Sequence, residues 1–124
     1  MTEYNFILPM PPSVNAAYRA VKGRVIKSKK YRDWSEEAAI CMTHQDMGNI
    51  DILTGRIKAT YRFGWQDNRK RDIANFEKAL SDFIEEWGVF ENDCQIDHME
   101  LIRLADDSTN GVFVTITELK EEEK

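Results

Sequence analysis

Apolar and polar residues alternate along several short stretches of the chain, and this pattern predicts β-strands. The clearest case is residues 57–63, where the alternation predicts a strand with one buried face. Residues 4–8 predict a short strand that stops at Pro9, because proline has no N–H for a strand ladder. Two more strands are predicted over residues 96–104 and 111–119, separated by a turn over residues 106–110.

Other stretches repeat their apolar residues with helical spacing. Ser28 is a suitable N-cap for a helix over residues 29–46. A second helix is predicted over residues 72–87, with Gly88 as the residue that ends it. Residues 9–15 are expected to be irregular, and residues 20–26 to form a hairpin that turns at Lys22-Gly23.

The order of these elements indicates the fold class. They follow one another within 124 residues, a length typical of one domain. We therefore predict a small single α/β (α+β) domain over residues 1–124, with two main helices packed on a mixed β-sheet. Residues 118–124 are rich in glutamate and are expected to be a solvated acidic tail.

The composition, 42% hydrophobic and 31% charged, is typical of a globular protein. No apolar run reaches the roughly 20 residues of a membrane helix. The first four residues lack the basic and apolar regions of a signal peptide, and two cysteines make no disulfide framework. These observations predict a cytoplasmic protein with no membrane partner.

The net charge of −5 hides a division between two parts of the chain. Residues 1–71 hold 13 Lys and Arg against 7 Asp and Glu, whereas residues 72–124 hold 4 against 15. The basic residues form two clusters, first Arg19, Lys22, Arg24, Lys27, Lys29, Lys30 and Arg32, then Arg69, Lys70 and Arg71. Such clusters can neutralise DNA phosphates even in an acidic protein, although an ordinary solvated surface is the other interpretation.

One set of polar residues has the pattern of a reactive site. Asp72 begins the second predicted helix, and Asn75, Lys78 and Asp82 fall in one narrow sector beside its apolar face. Asp93 precedes a predicted strand that can pack beside the helix start. A carboxylate pair with a nearby lysine suits a Mg²⁺ site with a phosphate clamp. The same residues also fit a helix cap, an exposed lysine and a turn.

A zinc-stabilised module is a further alternative. Cys41-x-x-His44 and Cys94-x-x-x-His98 have spacings that zinc ligands use. Cys41, however, lies on the apolar face of its predicted helix, where cysteine usually acts as a small hydrophobe. Trp65 lies near the second basic cluster, and we expect it to make a core or dimer contact rather than to stack on DNA.

The sequence also resembles the RusA family of Holliday junction resolvases. The family's opening is similar to Leu8-Pro9-Met10-Pro11-Pro12-Ser13-Val14-Asn15, followed by Tyr18-Arg19. Two later motifs match in order, Arg71-Asp72-x-x-Asn75-x-x-Lys78-Ala79 and Asn92-Asp93-x-Gln95-Ile96. Thr115 to Glu118 give an ending typical of the family.

The resemblance implies a small homodimer that binds four-way DNA junctions and nicks two opposed strands with Mg²⁺. By position, Asp72 and Asp93 would be catalytic metal ligands, and Lys78 would stabilise charge on the scissile phosphate. Asn15, Asn75 and Asp82 would support the site. DNA contacts would come from the two basic clusters, namely Arg19, Lys22, Arg24, Lys27, Lys29, Lys30, Arg69, Lys70 and Arg71.

One position departs from the family pattern. The family has Asp-x-Asp-Asn, whereas this chain has Ala74 where the second aspartate is expected. A methyl group cannot coordinate Mg²⁺, so catalysis is expected to be impaired. Ala74 is either an engineered substitution, which the intact pattern around it favours, or a natural variant that has lost or rerouted catalysis. It also leaves open a non-catalytic junction-binding or DNA-binding protein of the same fold.

Overall fold

The computed structural model describes residues 2–105 and 110–119, and these ranges contain six strands and three α-helices. In chain order they are β1 (Glu3–Leu8), α1 (Val14–Ala17), β2 (Tyr18–Val21), β3 (Arg24–Lys27), α2 (Lys29–His44), β4 (Ile57–Gly64), α3 (Glu77–Trp87), β5 (Ile96–Arg103) and β6 (Gly111–Glu118). Two 3₁₀ turns, Ile73–Phe76 and Asp93–Gln95, precede α3 and β5.

Four strands form one mixed sheet in the order β1-β6-β4-β5, and β2 and β3 form a separate hairpin. β4 and β5 run parallel, and α3 lies in the crossover that a parallel pair requires. The other two neighbouring pairs are antiparallel. This architecture confirms the predicted α+β class with a mixed sheet.

β4 is more buried than its alternating sequence predicts. Tyr61 faces α3, so its neighbour Thr60 points to the other side of the sheet, yet Thr60 is only 6% exposed. The reason is the position of β4 between two other strands. Thr60 is paired with Glu100 of β5 and Thr115 of β6, whose side chains stand beside it. The predicted half-burial of this strand was therefore wrong at its centre.

α2 begins as predicted, because the Ser28 hydroxyl accepts a hydrogen bond from the Tyr31 N–H. The helix ends at His44, two residues earlier than predicted. Gln45 follows and pairs with the backbone of Ile7 in both directions, at 2.7 Å for each hydrogen bond. These bonds occupy the N–H and C=O groups of Ile7 at the outer edge of β1, where another strand could otherwise pair.

The hairpin turns where the sequence predicts it. Lys22 and Gly23 have φ values of 51° and 75°, the left-handed conformation that a two-residue hairpin turn requires. The segment before it is less irregular than predicted. Within it, α1 begins at Val14, and it ends at Ala17, which is fully buried. This burial stabilises a helical turn that the preceding prolines do not indicate.

The second predicted helix is divided in two. Asp72 caps a 3₁₀ turn over Ile73–Phe76, and the α-helix itself begins at Glu77. The tighter turn directs the Phe76 ring against Trp65, with the ring centroids 5.2 Å apart. The helix ends as predicted at Gly88, whose φ of 97° favours glycine.

Trp34 joins the layers of the core. Its indole is 6% exposed, its N–H donates to the Pro9 carbonyl at 2.9 Å, and its ring meets Phe83 edge-on at 5.4 Å. We expect Trp34→Ala to lower the free energy of unfolding by about 3–5 kcal/mol, since it leaves a cavity and an unpaired carbonyl. Urea denaturation monitored by circular dichroism measures this loss.

Ile40 provides the control for this prediction on the same helix. Its side chain is 61% exposed, so Ile40→Ala is expected to change the free energy of unfolding by no more than about 0.5 kcal/mol. Equal losses in the two variants would contradict the central role of Trp34.

Two sequence predictions fall largely outside the described residues. Only Asn110 of the turn over residues 106–110 is described, and only Glu118 and Leu119 of the acidic tail. Within residues 2–105 and 110–119, no helix has the length and apolar character needed to span a membrane.

Candidate active site

Asp72 lies at the start of the 3₁₀ turn that leads into α3, and its side chain is exposed. One carboxylate oxygen accepts a hydrogen bond from the Ala74 N–H at 3.1 Å. The Asp72 carboxylate is therefore both the N-cap of the turn and the candidate metal ligand, and its second oxygen can bind another partner. Ala74 and Asn75 are exposed on the same turn, so a longer side chain at position 74 meets solvent.

Lys78 is held in place by Asp82, one helical turn further along α3. The Lys78 ammonium donates to the two carboxylate oxygens at 3.1 and 3.2 Å, and it lies 5.5 Å from the centre of the Tyr18 ring. The Tyr18 hydroxyl also donates to the Asp82 carboxylate. Burial, together with this hydrogen bond, raises the pKa of Tyr18, so the hydroxyl stays a donor. Asp82 is thus positioned to orient Lys78.

Asp93 lies in the second 3₁₀ turn, directly before β5. Asn92 and Gln95 fix this turn through a reciprocal capping box, and the Asp93 N–H donates to the Glu85 carboxylate at 2.9 Å. The Asp93 side chain itself is exposed. The backbone contact attaches the Asp93 turn to the later part of α3.

The two aspartate turns border the same pair of elements. The turn after Asp72 contacts β5, and the turn that begins at Asp93 contacts α3. In the described ranges, however, no group of three or more His, Cys, Asp or Glu side chains is placed to hold a metal ion. Mg²⁺ commonly uses one or two carboxylates and takes its other ligands from water and substrate phosphate. The donor chemistry of Asp72 and Asp93 suits such a site.

A buried hydrogen-bond chain lies under this site and was missed by sequence reasoning. The Tyr61 and Ser81 hydroxyls are 2.9 Å apart, and Ser81 donates to the Glu77 carboxylate. Burial raises the pKa of Tyr61, so its hydroxyl stays protonated and couples β4 to α3. The i, i+4 spacing of Glu77 and Ser81 was the only signal in the sequence.

The first basic cluster lies on the hairpin and the first turn of α2. Six of its members are exposed, which are Arg19, Lys22, Arg24, Lys29, Lys30 and Arg32. Lys27 differs, because its ammonium pairs with Glu86 of α3 and lies 5.1 Å from the centre of the Tyr31 ring. Lys27 therefore holds the hairpin against α3. Asn15 is exposed on α1, which contacts the 3₁₀ turn after Asp72.

The second basic cluster has two exposed cations and one held cation. Arg69 and Lys70 are exposed, whereas Arg71 lies with its guanidinium carbon 4.8 Å from the centre of the Trp65 ring. Trp65 is 7% exposed, as expected for a core contact. Arg71 also donates to the two Asp67 oxygens at 2.6 and 3.0 Å. This bidentate pair fixes the residue that immediately precedes Asp72.

The Asp67–Arg71 ion pair affects the pH at which the Asp67 carboxyl titrates, which can be tested. The Arg71 hydrogen bonds, and then the Arg69 N–H, lower the pKa of Asp67 to about 2. A carboxyl whose pKa is lowered on folding stabilises the fold above its unfolded pKa of about 3.9, and this contribution disappears as the pH falls through about 2. We expect NMR titration to place Asp67 near pH 2 and to move it up in Arg71→Gln. An Asp67 pKa near its ordinary value in the unsubstituted chain would contradict the pairing.

The zinc alternative is not supported by the geometry. Cys41 and His44 lie on α2, whereas Cys94 and His98 lie before and within β5. All four residues are described, and they are not part of any three-residue group placed to hold a metal.

Comparisons with known proteins identify the family. The profile of the family described as Endodeoxyribonuclease RusA matches residues 9–117. The crossover junction endodeoxyribonuclease of Enterobacteria phage HK97 is 30% identical, over 97% of this chain and 98% of that protein. The proteins of the same name from Escherichia coli K12 and Enterobacteria phage 82 are each 28% identical over 98% of this chain and the whole of their own length. The chain therefore belongs to the RusA family of endodeoxyribonucleases.

Proposed function

We propose that this chain is a Mg²⁺-dependent Holliday junction resolvase, an endonuclease that nicks opposed strands of four-way DNA junctions in recombination and repair, and that Ala74 impairs its catalysis. Its membership in the RusA family along nearly the whole chain carries the proposal. The curated relatives are named crossover junction endodeoxyribonucleases. The spaced residues Asp72, Lys78 and Asp93 of the family pattern are present here.

The proposed catalytic groups have distinct roles. Asp72 and Asp93 present exposed carboxylates of the kind that bind Mg²⁺. A Mg²⁺ ion held by these two carboxylates would supply an activated water and would neutralise charge on the scissile phosphate. Lys78 places an ammonium, oriented by Asp82, where it can stabilise the charge that develops on that phosphate. Asn75 supports the turn between these groups.

The basic clusters provide the proposed DNA contacts. The exposed hairpin cations bind phosphates on the junction arms, and Arg69 and Lys70 bind the strand that passes Asp72. Arg71 contacts the same strand from its position beside Asp67. Because the chain as a whole is acidic, with a net charge of −5, these local clusters determine where DNA binds.

We further propose that the chain acts in the cytoplasm as a homodimer. Two opposed nicks require two sites, and a two-fold axis relates them most simply on a junction with similar symmetry. Analytical ultracentrifugation at micromolar concentration is expected to give twice the mass of the 14.5 kDa chain. A monomer at these concentrations, free and with junction, would contradict this part of the proposal.

The test of the function is a comparison of DNA shapes. A four-way junction and a linear duplex of the same sequence are titrated with the chain in an electrophoretic assay. We expect the junction to bind more tightly by roughly 10³-fold, as for specific against non-specific complexes. Equal affinities for the two DNAs would overturn the proposal for junctions while leaving the family assignment intact.

A further inference from the structure

A cavity of about 470 Å³ lies at the ends of β4 and β5, outside the candidate catalytic groups. Residues 65–68, after β4, form one wall, and residues 103–105, at the end of β5, form the other. The Leu104 N–H donates to the Phe63 carbonyl at 2.9 Å, which keeps the two walls paired. Open α/β sheets commonly bind ligands outside the carboxyl ends of parallel strands, and this volume suits a small organic ligand.

The Trp65 ring in the cavity wall packs against Phe63, and the wall carries one planar cation, Arg103. Phe63 stacks on the Trp65 indole at 5.7 Å, with only 11° between the ring planes. The guanidinium carbons of Arg71 and Arg103 lie 4.8 and 5.0 Å from the centre of the same indole. A nucleobase stacks well on a guanidinium plane that an aromatic ring supports from behind.

One polar side chain of the cavity, the Asn68 amide, has no hydrogen-bond partner within residues 2–105 and 110–119, and a second, the Arg103 guanidinium, contacts the Trp65 ring. In these ranges no hydrogen bond uses the Asn68 amide, and no carboxylate accepts from the Arg103 guanidinium. Asp67 differs, since it is occupied by Arg71. Amide and guanidinium groups are those that proteins use to hydrogen-bond base edges. The Asn68 amide and the Arg103 guanidinium therefore favour a nucleotide over an apolar ligand.

The cavity is next to the candidate active site. Arg71, which stacks on Trp65, immediately precedes Asp72 in the chain. Phe76, in the turn that Asp72 caps, meets Trp65 at 5.2 Å. A strand with one phosphate at Asp72 can therefore place a neighbouring nucleotide at the cavity.

We propose that this cavity binds one nucleotide of the cleaved strand, with its base against Asn68 and Arg103, and so sets the sequence preference for the cut. The inference rests on the proposed function, because it takes the Asp72 turn as the place where the strand passes. In this proposal the cavity recognises a base near the cut, whereas the basic clusters bind the junction. Substitutions can therefore affect base preference and junction binding separately.

The first experiment measures affinities for a panel of four-way junctions that differ only in the base pairs nearest the branch. We expect the dissociation constants of the unsubstituted chain to vary by about 10-fold across the panel, as one good base contact allows. Asn68→Ala and Arg103→Gln are expected to reduce the variation to less than about 2-fold, while both variants still prefer junction to duplex.

Arg62→Gln is the matched control. Arg62 belongs to β4, and it points away from the face that carries Phe63 and Trp65. Arg62→Gln removes the same charge as Arg103→Gln, but at a position outside the cavity. We therefore expect its dissociation constants to keep the full variation across the panel. A loss of variation in the control equal to that in Arg103→Gln would overturn the inference.

The second experiment identifies the nucleotide directly. 5-Iododeoxyuridine is placed at successive positions near the branch, and separately in a single-stranded oligonucleotide, and crosslinked peptides are identified by mass spectrometry. We expect crosslinks in residues 65–68 or 103–105. Crosslinks found only elsewhere, together with uniform affinities, would overturn the inference while junction preference is retained. If junction preference is absent but the single strand crosslinks at the cavity, the proposed function fails, and nucleotide binding by the cavity stands without the role in setting the cut.

Discussion

Ala74→Asp is expected to raise both Mg²⁺ affinity and the rate of junction nicking by at least about 100-fold. The reason is that loss of even an outer-shell group commonly lowers metal affinity or activity by about 10–100-fold. Ala74 is exposed, and its N–H already bonds to Asp72 at 3.1 Å. A carboxylate at this position lies next to a second one without entering the core. Two neighbouring carboxylates repel each other, and a divalent cation relieves that repulsion.

Two measurements check this result independently. Isothermal titration calorimetry with Mg²⁺ measures binding without DNA, and single-turnover nicking of a labelled four-way junction measures the reaction. Ala74→Asn is the matched control, because its side chain has nearly the same shape without the charge. We expect Ala74→Asn to resemble the unsubstituted chain in both measurements.

Two outcomes of these measurements would contradict the expectation for Ala74→Asp. If the unsubstituted chain binds Mg²⁺ and nicks junctions as well as Ala74→Asp does, position 74 is not a ligand position in this protein. A gain in Mg²⁺ affinity without a gain in nicking would assign position 74 to metal binding and place the defect elsewhere, with Asp93 as the next residue to substitute.

Local patterns predicted most of the fold. The strands, the hairpin turn at Lys22-Gly23 and the Ser28 cap depend on neighbouring residues, so periodicity and turn chemistry were sufficient for them. The break before α3 was not predictable in this way. The residues from Ile73 to Phe76 fit the helical period, and only the packing of Phe76 on Trp65 shows why the chain tightens there. The burial of Thr60 likewise depends on strands distant in sequence.

The candidate site shows the same limit. The positions of Asp72 and Lys78 followed from helical spacing and from the family pattern. The bond from Tyr18 to Asp82 joins residues 64 positions apart, so no local pattern indicates it. The cation at Arg71 was predicted, but its attachment to Asp67 and Trp65 was not. The catalytic roles of these residues stay predictions until the variants are measured.

Junction affinity is expected to fall steeply with salt although the whole chain is acidic, with a net charge of −5. If the basic clusters neutralise about 6–10 phosphates, the affinity falls by about 10³–10⁵ between 50 and 200 mM salt. Release of counterions from DNA causes this dependence, and only cations in contact with phosphates contribute to it. Binding isotherms at several salt concentrations give the slope of log affinity against log salt.

The hairpin cations are expected to account for part of the slope of log affinity against log salt. Arg19, Lys22 and Arg24 are exposed on β2, the turn and β3, where DNA can reach all three. Replacing all three with glutamine removes up to three phosphate contacts, which reduces the slope by about 2.7. The control is Lys58→Gln with Arg62→Gln, two cations that point from β4 to the sheet face opposite Tyr61 and α3. A reduced slope in the control, with an unchanged slope in the hairpin variant, would instead place the DNA on the face of the sheet opposite α3.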